Sequence, residues 1–123
     1  MILLDTNALL WLERDHPRSR PLTNFEGRLY VSPATLLEMQ FLVEVGKIRL
    51  QGKHTIASIA DSPRWLVDDP PAAAWFHEAH DIPWTRDPFD RLIVAHAKRR
   101  GWRLATGDTM LLEHLTARSV VEL

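Results

Sequence analysis

Four acidic residues occupy positions where a carboxylate is either useful or expensive. Asp5 ends the run Met1-Ile-Leu-Leu-Asp5 and is followed by Thr6 and Asn7. Glu38 lies in Ser32-Pro-Ala-Thr-Leu-Leu-Glu38, Asp90 in Asp87-Pro-Phe-Asp90-Arg91, and Asp108 in Leu104-Ala-Thr-Gly-Asp108. Asp5 and Asp108 directly follow short apolar strands, and open α/β sheets bind ligands at the carboxyl ends of their strands. Asp is also a favoured helix N-cap, so these two positions admit a capping role as readily as a ligand role. Glu38 falls on a helical wheel among Ala34, Leu37, Phe41, Leu42 and Val45. Asp90 falls with Ile93, Val94 and Ala97, while Arg91, Lys98 and Arg99 take the other side. A buried carboxylate is rare unless it is paired or binds a metal. Carboxylates gathered in one place repel, and a hard divalent cation with oxygen ligands is the simplest counter-charge. That chemistry favours Mg²⁺ or Mn²⁺ over zinc. Such ions activate a water and stabilise a leaving oxygen at a phosphodiester.

The elements that must position these residues follow from periodicity and punctuation. Ile2 to Leu4 reads as a buried strand, with a helix from Asp5 through Trp11 to about Arg14. His16 to Pro21, with two prolines, reads as a loop. Leu29 to Val31 is a second strand. Ser32-Pro33 is an N-cap with proline in the first turn, opening a helix that runs to Val45 and stops at Gly46. A short helix is expected near Thr55 to Ala60 and a strand at Trp65 to Val67. A further helix runs from Pro70-Pro71 through Ala79. Asp87-Pro88 repeats the cap logic of Ser32-Pro33 and opens a helix ending at Gly101. Asp87 is therefore read mainly as the cap, with a supporting role at the metal beside it. Arg103 to Thr106 is a strand, Asp108 caps a short helix to about His114, and Ser119 to Val121 is a last strand. This alternation implies an α/β fold with a mostly parallel sheet covered on both faces.

The whole chain bounds the answer. Its 123 residues suit one domain, 1–123, with 46% apolar and 25% charged residues. There is no cysteine, which excludes disulfides and thiolate metal sites. No apolar run approaches the ~18 residues of a membrane span. No basic region precedes the first apolar residues, and Asp5 interrupts them, so a secretory signal is not expected and a cytoplasmic location is. The formal net charge is −1, which counts against duplex binding through a broadly basic surface. Of the 15 basic residues 12 are Arg, a side chain suited to bidentate phosphate contacts, although coding bias explains the excess equally well.

The order Asp-Thr-Asn at 5–7, Ser-x-x-Thr-x-x-Glu at 32–38, Asp-Pro-Phe-Asp-Arg-Leu-Ile-Val-Ala at 87–95 and Thr-x-Asp at 106–108 resembles PIN-domain proteins, most closely the VapC-type toxins of bacterial toxin–antitoxin pairs. The resemblance covers nearly the whole chain. It implies a Rossmann-like fold and a metal-dependent ribonuclease using Mg²⁺ or Mn²⁺. Asp5, Glu38, Asp90 and Asp108 fall on the family's acidic quartet, and Thr106 on its hydroxyl position. Asn7 is read either as supporting Asp5 through a hydrogen bond or, equally, as a plain helix-start residue. The resemblance also implies RNA as substrate, a silencing antitoxin partner and a homodimer. Thr85 departs from the pattern, since close relatives often carry His there.

Arg86 and Arg91 flank the Asp-Pro-Phe-Asp motif and are candidate RNA phosphate contacts. His77, His80 and His96 are expected to be structural. The five Trp residues suit base stacking, core or interface roles alike. Leu36, Met39 and Val43 form a second apolar side of the Pro33–Val45 helix, and their exposure in a monomer would favour dimerisation. Competing chemistries fit less well. A haloacid-dehalogenase-like phosphatase wants an acid where Asn7 stands, and a receiver module wants an acidic pair at the first strand. A non-catalytic, metal-binding module for nucleic acid remains the alternative to the enzyme.

Overall fold

The computed structural model describes all 123 residues. Five strands form one sheet: β1 (Ile2–Leu4), β2 (Leu29–Val31), β3 (Leu66–Val67), β4 (Arg103–Thr106) and β5 (Val120–Glu122). Their spatial order is β3-β2-β1-β4-β5, and every pairing is parallel. Seven helices connect them: α1 (Thr6–Glu13), α2 (Arg20–Thr23), α3 (Pro33–Glu44), α4 (Ile56–Ala60), α5 (Ala72–His80), α6 (Pro88–Arg100) and α7 (Thr109–His114). Helices cover both faces, which is how an all-parallel sheet satisfies its apolar side chains.

Period-two alternation sorts the core into two layers. Ile2, Leu4 and Ala105 face a cluster with Leu9, Leu12, Met39, Ile59 and Trp65. Leu3 and Leu104 face the opposite cluster with Trp75, Ile82, Ile93 and Val94. Leu3 is wholly buried, and burial of such a side chain stabilises the fold by about 1.5–3 kcal/mol. The two buried indoles satisfy their N–H groups on backbone oxygens, Trp65 on Ile59 at 2.8 Å and Trp75 on Leu92 at 2.7 Å. They are core residues and present no face to a base.

The topology also fixes where a ligand belongs. From β1 the chain moves outward to β2 and β3, then returns past β1 to β4 and β5. The reversal opens a crevice between β1 and β4 at their carboxyl ends, the usual ligand position of open α/β sheets.

Several elements differ from the sequence expectation. The loop expected from His16 to Pro21 folds as a 3-10 turn, Pro17–Ser19, running into α2. His16 caps the turn by accepting from the Arg18 amide at 3.1 Å, and proline is well tolerated in a first turn. Trp65 packs into the core and precedes β3 rather than joining it. On α3 the exposed stripe is Leu37, Phe41 and Val45, while Met39 is buried and Leu36 and Val43 are half-buried. The outward face is thus the opposite of the one expected. The cause is composition: α3 is apolar all round, so periodicity does not choose a face.

No helix is long and apolar enough to cross a membrane.

Candidate metal centre

Each acidic side chain reaches the crevice for a local reason. The Asp5 amide donates to Ala105 O at 3.1 Å, continuing the β1–β4 ladder one residue beyond the strand. Asp5 then caps α1, its Oδ1 accepting from the Ala8 amide at 2.7 Å. Asp108 caps α7 in the same way, accepting from the Leu111 amide at 3.1 Å. Capping and site formation are therefore not alternatives at these residues. The cap fixes one carboxylate oxygen and leaves the other for the cleft.

Thr106 links the two acids. Its hydroxyl oxygen accepts from the Asp108 amide at 3.1 Å, and the nearby hydroxyl offsets part of the effect of burial on the Asp5 carboxyl. The hydrogen bond expected from Asn7 to Asp5 is absent; the Ala8 amide takes that place. Asn7 is exposed and lines the cleft directly. Glu38 projects from α3 and accepts a short hydrogen bond from the Thr6 hydroxyl. Thr6 was not anticipated from sequence. The available signal was a hydroxyl immediately after a strand-end acid.

Asp87 caps α6 as expected, its Oδ1 accepting from the Phe89 and Asp90 amides at 2.8 and 3.1 Å. It also does more than expected. Carboxylate oxygens of Glu38, Asp87 and Asp90 all lie within 4.8 Å of one another. Asp5 and Asp108 share the same cleft of about 320 Å³, with Leu42, Ile48 and Leu111 as apolar walls. All four predicted acids and Asp87 line one cleft, but only Glu38, Asp87 and Asp90 bring carboxylate oxygens close enough to share one ion; Asp5 and Asp108 lie outside that set.

The charge balance is one-sided. None of the five carboxylates forms an ion pair. Burial pushes the Asp5 carboxyl up to about 6, with repulsion from Asp108 and Glu38 adding to it and the bonds from Thr106 and Ala8 opposing it. Burial, then repulsion from Asp87, Glu38, Asp108 and Asp5, pushes Asp90 up to about 7. Glu38 is raised by burial and by Asp87, against the bond from Thr6. An all-oxygen donor set, mutually repelling and lacking any basic partner, fits a hard divalent cation.

The flanking cations behave differently from each other. Arg91 donates through Nε to the Thr85 carbonyl at 2.8 Å and braces the turn before α6. Arg86 is exposed and unpaired. Thr85 is buried, and its hydroxyl oxygen accepts from the Asp87 amide at 3.3 Å. Among the histidines, His96 is wholly buried and contacts Asp68 at 2.7 Å, a structural position as expected.

Comparison with known proteins agrees with this arrangement. Ribonuclease VapC22 of Mycobacterium tuberculosis is 29% identical over 127 residues, covering 97% of this chain and 95% of that protein. The fold matches a chain of the VapBC2 complex from Rickettsia felis, solved with a promoter DNA fragment. That match has a TM-score of 0.69 and 19% identity, over 100% of this chain and 99% of the other. It also matches a chain of FitAcB from Neisseria gonorrhoeae, with a TM-score of 0.56 and 27% identity over 89% and 88% of the two chains. The PIN domain family model matches residues 2–115. With strand ends, helix caps and acidic cleft all inside that span, the chain belongs to the PIN-domain family.

Proposed function

We propose that residues 1–123 act as one unit, a metal-dependent ribonuclease toxin of the VapC type that hydrolyses RNA phosphodiester bonds. The observation that carries this reading is the unpaired acidic cleft at the β1–β4 crevice. Asp5, Glu38, Asp90 and Asp108 are the metal ligands in this reading. Asp87 and Thr106 support them, and Asn7 lines the entrance. Bound Mg²⁺ or Mn²⁺ would supply a polarised water and a stabilised leaving oxygen at the scissile phosphate. The chain's own part is to hold the carboxylates in place through three helix caps and two threonine hydroxyls. Those fixed groups need no reorganisation when charge develops. Arg86, exposed and next in sequence to the cleft residue Asp87, is suited to an RNA phosphate; Arg91 supports the turn that carries it.

Two partners follow. The similarity to chains from toxin–antitoxin complexes supports a cognate antitoxin, and an acidic cleft is a physical target for a basic side chain of that partner. The stripe Leu37, Phe41 and Val45 at i, i+4 and i+8 on α3 supports a homodimer in the cytoplasm. Light scattering at micromolar protein should give twice the chain mass, and a monomer would remove the dimer from this reading.

The enzyme itself is tested by incubating mixed RNA with the protein in Mg²⁺, in Mn²⁺ and in chelator. Cleavage with either ion and none in chelator is the expected result. Cleavage that survives chelation, or no cleavage with either ion, contradicts the proposal.

A further inference from the structure

Near the acidic cleft an arginine is held in place by an indole and main-chain oxygens while part of its guanidinium stays free. The Arg18 guanidinium lies over the Trp11 indole, 4.1 Å from the ring centroid. Its Nη2 donates to Leu123 O at 3.0 Å and reaches Gly107 O at 3.5 Å. Both partners are main-chain oxygens, that of Leu123 belonging to the terminal carboxylate of the chain; no acidic side chain pairs with Arg18, and its Nε and Nη1 make no hydrogen bond. Other arginines contrast with it: Arg100 is held by Asp68, Arg99 by Glu78 and Arg64 by Asp15.

The location is specific. Trp11 follows Asn7 by one turn on α1, and Asn7 lines the cleft. Gly107 immediately precedes Asp108, which also lines it. Gly107 is what lets the group approach. A Cβ there would collide with the Arg18 guanidinium and stand 2.8 and 2.9 Å from the Trp11 ring. The surroundings are therefore shaped to seat a guanidinium at the Asn7–Asp108 rim, with Nε and Nη1 left free on an exposed side chain.

We propose that Arg18, seated on Trp11 and Gly107, forms a phosphate subsite that binds the RNA backbone next to the scissile position. This rests on the ribonuclease reading and adds a substrate contact to it. A guanidinium is suited to the task, since it offers a planar fork to phosphate and stacks on an indole without losing its charge. A cation at the rim also offsets the repulsion that an acidic cleft exerts on a polyanion, so it helps the substrate approach as well as hold.

The test uses the full chain carrying Asp5→Asn, so that RNA is bound without being consumed. Anisotropy of a fluorescein-labelled, mixed-sequence single-stranded RNA is followed at constant Mg²⁺ over a range of KCl. Arg18→Gln should weaken binding and lower the slope of log K against log salt by about 0.7, the value for one lost phosphate contact on a single strand. Arg18→Lys should keep the slope and bind several-fold more weakly, because charge survives and the fork does not. In the otherwise native protein, Arg18→Gln should raise KM and leave kcat within about twofold. A purely structural arginine would move the melting temperature and not the salt slope. An unchanged slope in a folded Arg18→Gln protein overturns the subsite and leaves the ribonuclease reading standing. Absence of RNA binding by the Asp5→Asn parent, with no cleavage by the native chain, overturns both. Should Arg18→Gln fail to fold, Arg18→Lys decides: native-like affinity overturns the subsite.

Discussion

The molecule carries carboxylates at two sets of strand ends, a single one at β3 and a cluster at β1 and β4, and they are built in opposite ways. At the end of β3, Asp68 is gripped by Arg100 Nε at 2.7 Å and Nη2 at 3.2 Å, and by His96 Nε2 at 2.7 Å. Those partners outweigh burial and hold the Asp68 carboxyl below its ordinary range. At the ends of β1 and β4, Asp5, Asp108 and their neighbours have no basic partner, and Asp5 and Asp90 are pushed to about 6 and about 7. The first set is complete within the chain and ties α6 to β3. The second has no counter-charge within the chain. A carboxylate's place in the fold says little about its role; what matters is whether the fold also provides its counter-charge.

The sharpest way to break that contrast is to exchange the consequences of removing one charge from each set. Asp5→Asn should abolish RNA cleavage, a loss exceeding the ~10–100-fold carried by outer partners of a metal ligand. Because Asn caps as well as Asp, and because one repelling charge is gone, the metal-free melting temperature should hold or rise. Asp68→Asn should do the reverse. It leaves His96 and Arg100 without their acceptor charge, so stability should fall by about 2–4 kcal/mol, with cleavage per folded molecule unchanged. Full activity in Asp5→Asn, or a stable Asp68→Asn, would erase the distinction.

Acid sharpens it next. Asp5 and Asp90 have folded pKa values raised above their unfolded ones. The stability they contribute is present in full below about pH 4 and is lost as pH rises through about 6 and about 7. Metal-free protein should therefore become more stable as pH falls from about 7 towards 5, a gain reduced by solvent screening at the partly exposed Asp90 and opposed by His96. His96 is held below its ordinary pKa by burial, so the unfolded chain takes up its proton first and acid works against the fold there. Below about pH 4 the loss of the Asp68 pairs takes over. Saturating Mg²⁺ should reverse the trend, because protonation competes with binding. Thermal melts across pH with and without Mg²⁺ check this, and an Mg²⁺ effect as large at pH 5 as at pH 7 would contradict it.

The smallest expected effect separates the two duties of Asp87. Asp87→Ala should lose about 1 kcal/mol of stability with its cap, while Asp87→Asn should keep that stability. Both should weaken Mg²⁺ binding by roughly tenfold if the carboxylate helps hold the ion. Calorimetric Mg²⁺ titration of the two variants gives the answer, and native affinity in Asp87→Asn would reduce this residue to a cap.

How much of this was legible beforehand depends on the range of the interaction. β2 and β4 have the residue limits read from sequence, because short apolar runs ended by Ser32 and Gly107 carry their own punctuation. The caps at Ser32, Asp87 and Asp108 were legible for the same local reason. The gathering of Asp5, Glu38, Asp90 and Asp108 was also within reach, since Glu38 and Asp90 sat on apolar helix faces and Asp5 and Asp108 at strand ends, even though a cap alone would account for the last two. The contacts of Thr6 with Glu38, Arg18 with Leu123 and Asp68 with Arg100 were not, because their partners are distant in the chain and no periodicity links them. The buried face of α3 escaped for a different reason. Met39 and Phe41 are both apolar, and only packing against the sheet and α1 decides which is covered.

The strand order has a consequence for synthesis. β1 precedes both of its neighbours in the chain: Ile2 pairs with Leu29 on one side and Arg103 on the other. Its second neighbour leaves the ribosome only after α3, α5 and α6 have been made, since chains emerge in order from the N-terminus. Asp108 lies just beyond that late strand. The acidic cleft consequently cannot close before β4 is made, and products ending before β4 carry Asp5, Glu38, Asp87 and Asp90 but lack Asp108 and the strand that seats it beside Asp5.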